Sequence, residues 1–284
     1  KAIFKVEKKI GYYGKETHEI VEISNCFLVD EKINTILNFI SKNVPLDGIK
    51  EIMIRSSKNT DETLVLFTLD KKIDEEKLKS ILIEKVTTVV LFLNDYKVLF
   101  GEGFIHEKLG NYLFKISPES FFQVNTNGAY KLYSLVYQYI KNKDNVLDLY
   151  CGTGSIGIFI SDKAKKVLGV EINQYAVIDA LENKKLNQLN NVDFICLDTS
   201  LFHQSLKEMD VIIVDPPRSG LDKKTISYLL REKVKKLIYV SCDLMTLTRD
   251  LSYLKEYYVI KEITPVDMFP NTYHVESVCL LELK

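Results

Sequence analysis

Cys242 and Glu276 are the residues of this chain best suited, by type and setting, to covalent chemistry. Cys242 directly follows the apolar segment 236–241, and Glu276 opens the last apolar run of the chain. A thiolate can act as a nucleophile, and a carboxylate can take up a proton. A cysteine that only packs is more often found within a strand, as we expect of Cys196 and Cys279. Cys242 is therefore a candidate nucleophile and Glu276 a candidate general base, with a salt bridge at the start of the last strand as the alternative for Glu276.

Residues 145–157, NVLDLYCGTGSIG, combine an apolar strand with a glycine-rich turn and the start of a helix. Such a turn presents backbone N–H groups and a helix N-terminus to an open crevice, and its glycines let a bulky ligand approach the main chain. Gly152, Gly154 and Gly157 also satisfy the GxGxxG pattern of dinucleotide sites, which is weak evidence alone. We expect Gly152 to contact a cofactor and Cys151 to pack beneath it.

The elements around this turn predict a doubly wound parallel sheet, because strand and helix patterns alternate strictly. Two last strands leave no room for a helix between them and predict an antiparallel hairpin. A helix ending near Tyr139 is expected before the first strand. Strands are predicted over 145–150, 166–171, 192–196, 210–215, 236–241, 257–263 and 276–283, and helices over 155–162, 174–188, 203–208 and 222–233.

The first 120 residues predict a smaller α+β domain of short strands and two helices. Its second helix is expected to begin after Asp74 as N-cap. We place the domain boundary at 120, so that residues 1–120 and 121–284 form the two domains. The helices are predicted over 31–43 and 74–83, and strands over 49–56, 63–69, 86–93, 98–105 and 109–116.

Polar residues stand where the predicted parallel strands end, which is the edge at which open sheets bind ligands. Glu171 could accept two hydrogen bonds from a ribose diol, and Asp198 could meet an adenine amino group. Asp215 opens the sequence DPPR, whose prolines stiffen the exit of the fourth strand and could position a planar base. The simpler alternatives are a solvated strand end for Glu171, an ordinary loop residue for Asp198 and a stiff turn for the prolines.

Five motifs in order resemble the bacterial RNA uracil-5-methyltransferases, which use S-adenosylmethionine. They are SFFQVN, DLYCGTGSIG, DPPRSGL, SCDLMTLTRDL and PVDMFPNTYHVESV, and GYYGKETHEIVEISNC is similar to that family's central domain. The resemblance implies an α/β, class I (Rossmann-like) methyltransferase domain with a smaller N-terminal α+β domain. It is nearer to the 23S ribosomal RNA branch than to the transfer RNA branch. The N-terminal RNA-binding barrel of the family is expected to be absent from this chain.

The resemblance assigns roles residue by residue. The family's nucleophile falls on Cys242 and its base on Glu276, which implies that the thiolate adds to uracil C6 and that the carboxylate later removes the C5 proton. Asp243-Leu244 stands where the family often has Asn-Pro, which bears on the neighbouring loop and not on the cysteine. The family's cofactor contacts fall on Gln123, Tyr150, Glu171 and Asp215, beside Gly152 and Asp198.

RNA contacts and metal ligands follow less directly from the sequence. The target base must leave its stack to enter the crevice, and Phe121, Phe122 and Tyr273 are candidates to hold it, with Arg218 beside them. Core packing is an equal alternative for these aromatic residues. Cys26 matches the last of four cysteines that hold an iron–sulfur cluster in some members, but the other three would lie upstream, so no metal site is expected in this chain.

The composition is that of a soluble globular protein, with 46% hydrophobic and 27% charged residues. No apolar run is long enough to span a membrane, and the scattered cysteines suit a reducing cytoplasm, so we expect a protein without a signal peptide. A net charge of -1 lacks the basic excess of most nucleic-acid-binding domains, so RNA binding must use local patches or a further module. We expect a cytoplasmic monomer that acts on RNA.

Other functions use parts of the same pattern and stay open at this point. An amino-methyltransferase acting on adenine or cytosine also has a proline loop after its fourth strand, but it needs no cysteine and has an aromatic residue where Arg218 stands. A nicotinamide dehydrogenase would use the glycine turn and leave Cys242 and Glu276 without a role. A non-catalytic RNA-binding module suits the neutral charge, but not a cysteine and a carboxylate at one edge.

Overall fold

The structure is a computed structural model that describes residues 1–202 and 206–284. The chain divides into two compact units. The first comprises Lys1–Lys108 and Lys115–Pro118, and the second comprises Leu109–Phe114 and Glu119–Lys284. Among the described residues, no helix has the length and apolar character needed to cross a membrane.

The first unit is a seven-stranded sheet with two helices. Asp30 and Asp74 cap the helices by accepting hydrogen bonds from the backbone N–H groups of Lys32 and Lys77, which confirms Asp74 as an N-cap. The apolar faces of both helices join one buried core with the sheet. The elements are β1 (Ala2–Val6), β2 (Ile10–Tyr13), β3 (Ile20–Glu22), α1 (Glu31–Asn43), β4 (Ile49–Ser56), β5 (Thr63–Leu69), α2 (Glu75–Leu82), β6 (Thr88–Phe92) and β7 (Tyr96–Phe100). The strand order is β3-β2-β1-β4-β5-β6-β7.

The predicted strands over 98–105 and 109–116 are wrong in their bounds. The chain turns at Gly101 and Gly103, whose φ values of 74° and 79° favour glycine, so β7 ends at Phe100. A separate two-stranded sheet follows, made of β8 (Ile105–Leu109) and β9 (Tyr112–Ile116).

The second unit is the predicted open α/β sheet. Its strand order is β12-β11-β10-β13-β14-β16-β15; the first five strands are parallel, and β16 runs antiparallel to both of its neighbours. Its elements are α3 (Thr126–Tyr139), β10 (Asn145–Leu149), α4 (Ser155–Phe159), β11 (Lys166–Glu171), α5 (Gln174–Leu186), β12 (Val192–Cys196), a 3-10 turn (Thr199–Leu201), β13 (Val211–Val214), α6 (Lys223–Glu232), β14 (Lys236–Ser241), α7 (Leu244–Leu254), β15 (Tyr258–Val266) and β16 (Glu276–Leu283).

The seven predicted strands of this sheet are confirmed within a few residues, whereas the helices differ more. The helix predicted over 155–162 is shorter and ends at Phe159, and α7 was not predicted. The helix predicted over 203–208 begins on residues 203–205, which lie outside the described residues, and residues 206–208 are not helical.

The register of the parallel strands brings their carboxyl ends level. Leu149 pairs with Val170 on one side and with Val214 on the other. Tyr150, Glu171 and Asp215 are therefore the next residues along three adjacent strands. This edge is where the candidate site lies.

Candidate active site

Cys242 and Glu276 face the same end of the sheet because β16 is antiparallel to β14. The last pair between these strands joins Ser241 to Ser277, so Cys242 and Glu276 are the next positions on their two strands. Directly opposed residues of antiparallel strands have Cα atoms about 4.5–5.5 Å apart. Cys242 is half-buried, and only 5% of Glu276 is exposed. The structure thus brings together the thiol and the carboxylate that the sequence singled out.

The charges around Cys242 oppose the thiolate in the free protein. Burial raises the pKa of the Cys242 thiol above its ordinary 9.0, and the nearby carboxylates of Glu276 and Asp215 raise it further. The guanidinium of Arg218 acts in the opposite direction. The thiol therefore keeps its proton at neutral pH until a ligand or a movement changes this balance.

Asp215 and Glu276 are neighbouring carboxylates at this edge; Glu276 is buried and Asp215 is half-buried. Burial raises the pKa of Glu276, and it raises that of Asp215 well above its ordinary value, with Glu276 contributing further. Within the described part of the chain neither carboxylate has a side-chain hydrogen-bond partner. Both carboxylates can therefore accept a hydrogen bond from a ligand or take up a proton.

The glycine turn borders empty space at one glycine and packs tightly against the protein at another. Tyr150, Gly152 and Gly154 have φ values of 63°, 54° and 75°. A Cβ atom at Gly152 would meet no atom within 4 Å, whereas one at Gly154 would lie 2.3 Å from Cζ of Phe194. Gly152 therefore borders open space that a ligand can enter, and Gly154 lets the turn pack against β12.

Glu171 is tied to the same turn. Its Oε2 accepts a hydrogen bond from the backbone N–H of Gly152 at 3.0 Å, and its Oε1 accepts one from that of Asn173 at 2.9 Å. A carboxylate oxygen has room for two hydrogen bonds, so Glu171 can still bind a diol. Asp198, after the next strand, caps the 3-10 turn by accepting from the backbone N–H of Ser200 at 2.8 Å.

Tyr150 begins the glycine turn, and Gln123 belongs to the segment that precedes α3. The hydroxyl of Tyr150 lies 3.3 Å from both Oδ2 of Asp222 and Oγ1 of Thr225 at the start of α6. Gln123 is buried, and its segment is anchored where the hydroxyl of Ser120 donates to the buried carboxylate of Asp179. The first contacts tie the turn to α6, and the Ser120–Asp179 hydrogen bond ties the segment of Gln123 to α5.

The candidate substrate residues divide into exposed and buried ones. Phe121 and Tyr273 are 67% and 89% exposed, and Nη2 of Arg218 lies 3.4 Å from Nε2 of His274. Phe122 is buried, with its ring centroid 5.4 Å from that of Phe114. Phe122 is therefore a core residue, and its prediction as a base-holding residue is wrong.

The cysteines also correct one expectation. Cys279 is buried within β16 as expected, but Cys196 is exposed because it is the last residue of β12, where its thiol donates to the carbonyl of Ile172 at 3.5 Å. Cys151 is buried beneath the turn, and Cys26 is half-buried. Among the described residues, no group of three or more His, Cys, Asp or Glu side chains could hold a metal ion.

Asp148 is a buried residue of this edge that our reading of the sequence passed over. It is fully buried in β10, where its Oδ2 accepts from the backbone N–H of Gly157 at 3.1 Å. Its Oδ1 has no partner in the described part of the chain, and burial raises its pKa to about 7. The signal was present in the sequence, since Asp148 interrupts the apolar strand NVLDL.

Two features define a Rossmann-like methyltransferase domain. One is the sheet order, in which an antiparallel strand lies beside the fifth parallel strand, and the other is the open glycine turn. A family model for tRNA (Uracil-5-)-methyltransferase matches residues 12–284. The chain belongs to this family, whose members are RNA methyltransferases that use S-adenosylmethionine.

Individual relatives agree with this assignment. The chain is 38% identical to an uncharacterized RNA methyltransferase of Clostridium tetani and 37% identical to one of Oceanobacillus iheyensis. These matches cover 96% and 97% of this chain, but only 66% and 68% of the relatives, so the chain spans about two thirds of their length.

Solved structures have the same fold. The tRNA (uracil-54, C5)-methyltransferase of Pyrococcus abyssi, in complex with S-adenosyl-L-homocysteine, matches with a TM-score of 0.84 and 28% identity over 99% of this chain and 74% of that chain. TYW2 of P. horikoshii, in complex with MeSAdo, shares the fold alone, with a TM-score of 0.56 and 18% identity over 88% of this chain and 98% of that chain.

Proposed function

We propose that this chain transfers a methyl group from S-adenosylmethionine to C5 of a uridine in RNA. The observation that carries the proposal is the placement of Cys242 opposite Glu276 at the sheet edge that also bears the open glycine turn. An amino-methyltransferase needs neither of these two side chains, and a dehydrogenase would leave both without a role. Membership of the family supports the same activity.

The open turn fits an adenosyl cofactor. Gly152 leaves room for the ligand beside backbone N–H groups, and Glu171 offers oxygen acceptors to a ribose. When bound, S-adenosylmethionine supplies the methyl group that uracil C5 receives. We propose that six residues contact it: Gln123, Tyr150, Gly152, Glu171, Asp198 and Asp215.

Cys242 and Glu276 would then divide the chemistry between them. The Cys242 thiol releases its proton to solvent. Sγ then forms a bond to C6 as the C5–C6 double bond opens, which gives an enolate whose C5 is electron-rich. After C5 has been methylated, Glu276 accepts the proton from C5, the C5–C6 double bond re-forms, and the Sγ–C6 bond breaks. The raised pKa of Glu276 suits it to this proton transfer, because a carboxylate with a higher pKa is a better base.

The substrate is proposed to be a uridine extruded from its RNA stack. Phe121, Arg218 and Tyr273 are exposed and can contact the RNA around it. We propose 23S ribosomal RNA on the resemblance of the motifs, with transfer RNA as the alternative, and a cytoplasmic monomer as the working form. Mapping 5-methyluridine in both RNAs from a strain lacking the gene identifies the target.

A mechanism-based trap tests the chemistry. RNA containing 5-fluorouridine cannot lose fluorine as a cation, so the wild-type protein with S-adenosylmethionine should form a covalent RNA adduct. Cys242→Ala should form no adduct and lose methyl transfer by a factor on the order of 10⁴ or more, while still binding S-adenosyl-L-homocysteine. Cys196→Ala removes an exposed thiol at the end of β12, the outer strand on the far side of the same sheet, and should behave as wild type.

Glu276 is tested separately. With ordinary uridine RNA, Glu276→Gln should accumulate the methylated adduct, because the C5 proton can no longer be removed. Methyl transfer by Cys242→Ala would refute the proposal. Methylation of adenine or cytosine without any adduct would instead identify an amino-methyltransferase.

A further inference from the structure

Helix α7 starts two residues after Cys242 and carries an ion pair that the proposed reaction does not use. Asp243 caps this helix, accepting from the backbone N–H of Thr246 at 2.9 Å. Two turns further on, Nε of Arg249 donates to Oδ1 of Asp250 at 2.8 Å. The Asp250 side chain is fully buried, whereas that of Arg249 is 46% exposed.

Asp250 joins three elements at one carboxylate. Its Oδ2 accepts from the backbone N–H of Leu221 at 2.8 Å and from the hydroxyl of Tyr239 in β14 at 2.7 Å. Leu221 belongs to the loop that carries Asp215 and Arg218. A buried carboxylate with this many donors is firmly held, since removing its partners would leave a buried charge without compensation.

The Arg249 side chain binds backbone carbonyl groups of the same loop. Its Nη2 donates to the carbonyl of Ser219 at 2.8 Å and to that of Leu221 at 3.2 Å. Gly220, between them, has a φ of 74°, and a Cβ there would lie 2.6 Å from both Nη2 of Arg249 and Oδ2 of Asp250. The loop therefore lies directly on the ion pair, with no space for a side chain.

This anchorage determines where the charge of Arg218 stands. Arg218 is itself exposed, yet its guanidinium lowers the pKa of both Cys242 and Glu276. Such an effect declines with distance, so it depends on the position of the loop. The charged and titratable groups that face the thiol are Glu276 from β16 and Asp215 and Arg218 from this loop.

We propose that Arg249 and Asp250 are positioning residues that fix the Arg218 loop against the helix following Cys242 and thereby set the reactivity of the thiol. The proposal rests on the function proposed above. The pair touches neither substrate nor reacting atoms; it acts through Arg218. A purely structural pair would stabilise the fold without altering the chemistry of Cys242.

Arg249→Gln tests the proposal. The variant is expected to fold, because the Arg249 side chain is partly exposed and Asp250 keeps its hydrogen bonds from Leu221 and Tyr239. The readout is the pH dependence of Cys242 alkylation by iodoacetamide, resolved by mass spectrometry with the exposed Cys196 as internal reference. We expect the Cys242 midpoint to rise by about half a pH unit or more, with Cys196 unchanged. Adduct formation with 5-fluorouridine RNA at saturating RNA should slow by about tenfold to a hundredfold.

Two further variants complete the test. Arg249→Lys keeps a cation and should restore part of the rate of adduct formation. Arg231→Gln is the matched control. Arg231 also forms an ion pair with the next residue of its helix, at 2.9 Å from Glu232, and should leave both readouts as in the wild type. Asp250→Asn, which retains most of the shape, should shift the Cys242 midpoint in the same direction as Arg249→Gln.

Failure of this proposal is distinct from failure of the proposed function. A folded Arg249→Gln protein with the wild-type alkylation profile and adduct rate overturns the positioning role. A wild-type protein that forms no adduct refutes the proposed function instead, while the alkylation profile still reports on the loop.

Discussion

Replacing Asp148 with Asn tests the electrostatics beneath the glycine turn. The carboxylate is fully buried, its Oδ2 accepts a single backbone hydrogen bond, and its Oδ1 has no partner among the described residues. Burial raises its pKa from an ordinary 3.8 to about 7, and the nearby charge of Glu171 contributes in the same direction. Asn keeps the shape and an acceptor oxygen for Gly157, but it has no charge to bury.

The direction and size of the change in stability with pH follow from the number of protons that the folded and unfolded states bind. Because the pKa is higher in the folded than in the unfolded chain, the folded state binds more protons between these two pKa values. The wild type therefore loses stability as pH rises from about 4 to about 7, by a total of about 4 kcal/mol. The free energy of unfolding of Asp148→Asn should therefore exceed that of the wild type by an amount that grows by about 3 kcal/mol between pH 5 and pH 8.

Urea unfolding followed by circular dichroism at pH 5, 6, 7 and 8 measures this difference, and contributions from the first unit cancel between the two proteins. Asp193→Asn on β12 is the control, since the side chain of Asp193 is 57% exposed and its removal should give a small difference that does not grow with pH. An Asp148→Asn difference that stays constant across this range would refute the reasoning, because it would mean that the buried carboxyl titrates normally.

Two other predictions concern the same edge. Gly154→Ala should destabilise the protein more than Gly152→Ala, since both incur about 1–2 kcal/mol for a left-handed residue but only the former adds a clash of about 1–3 kcal/mol. Urea unfolding measures both, and equal losses would contradict the packing assigned to the turn. Asp215→Asn should move Cys242 alkylation to lower pH, because a neutral amide no longer opposes the thiolate. An unchanged or higher midpoint in the iodoacetamide assay would exclude Asp215 as a source of that effect.

The convergence of the candidate residues could be predicted because it follows from topology. Once the strands are taken as parallel, their last residues share one edge, and a final antiparallel strand brings Glu276 to that edge as well. Local departures from regular structure were harder to predict. Gly101 and Gly103 each could have continued a strand, and only their φ values show that the chain turns there.

Helix α7 was not predicted, although its sequence carries helical signals. Its sequence, LMTLTRDLSYL, contains two threonines and a serine, which are modest helix formers, but its leucines recur at helical spacing and not in the alternation of a strand. What forms the helix is the cap provided by Asp243 and the burial of Leu247, Leu251 and Leu254 on one face. Both signals are present in the local sequence, so this helix could have been predicted.

Three buried carboxyl groups connect these observations. Asp148 lies within an apolar strand, Asp179 lies among the buried residues of α5, and Asp250 lies on the leucine face of α7. An acidic residue on an apolar face must be hydrogen-bonded, neutralised or both, so sequence alone could have marked each as unusual. It could not have given their partners, because Asp250 binds an N–H group 29 residues away and Asp179 a hydroxyl 59 residues away. The sequence can therefore show which residues must be satisfied, and the fold determines which loops they hold.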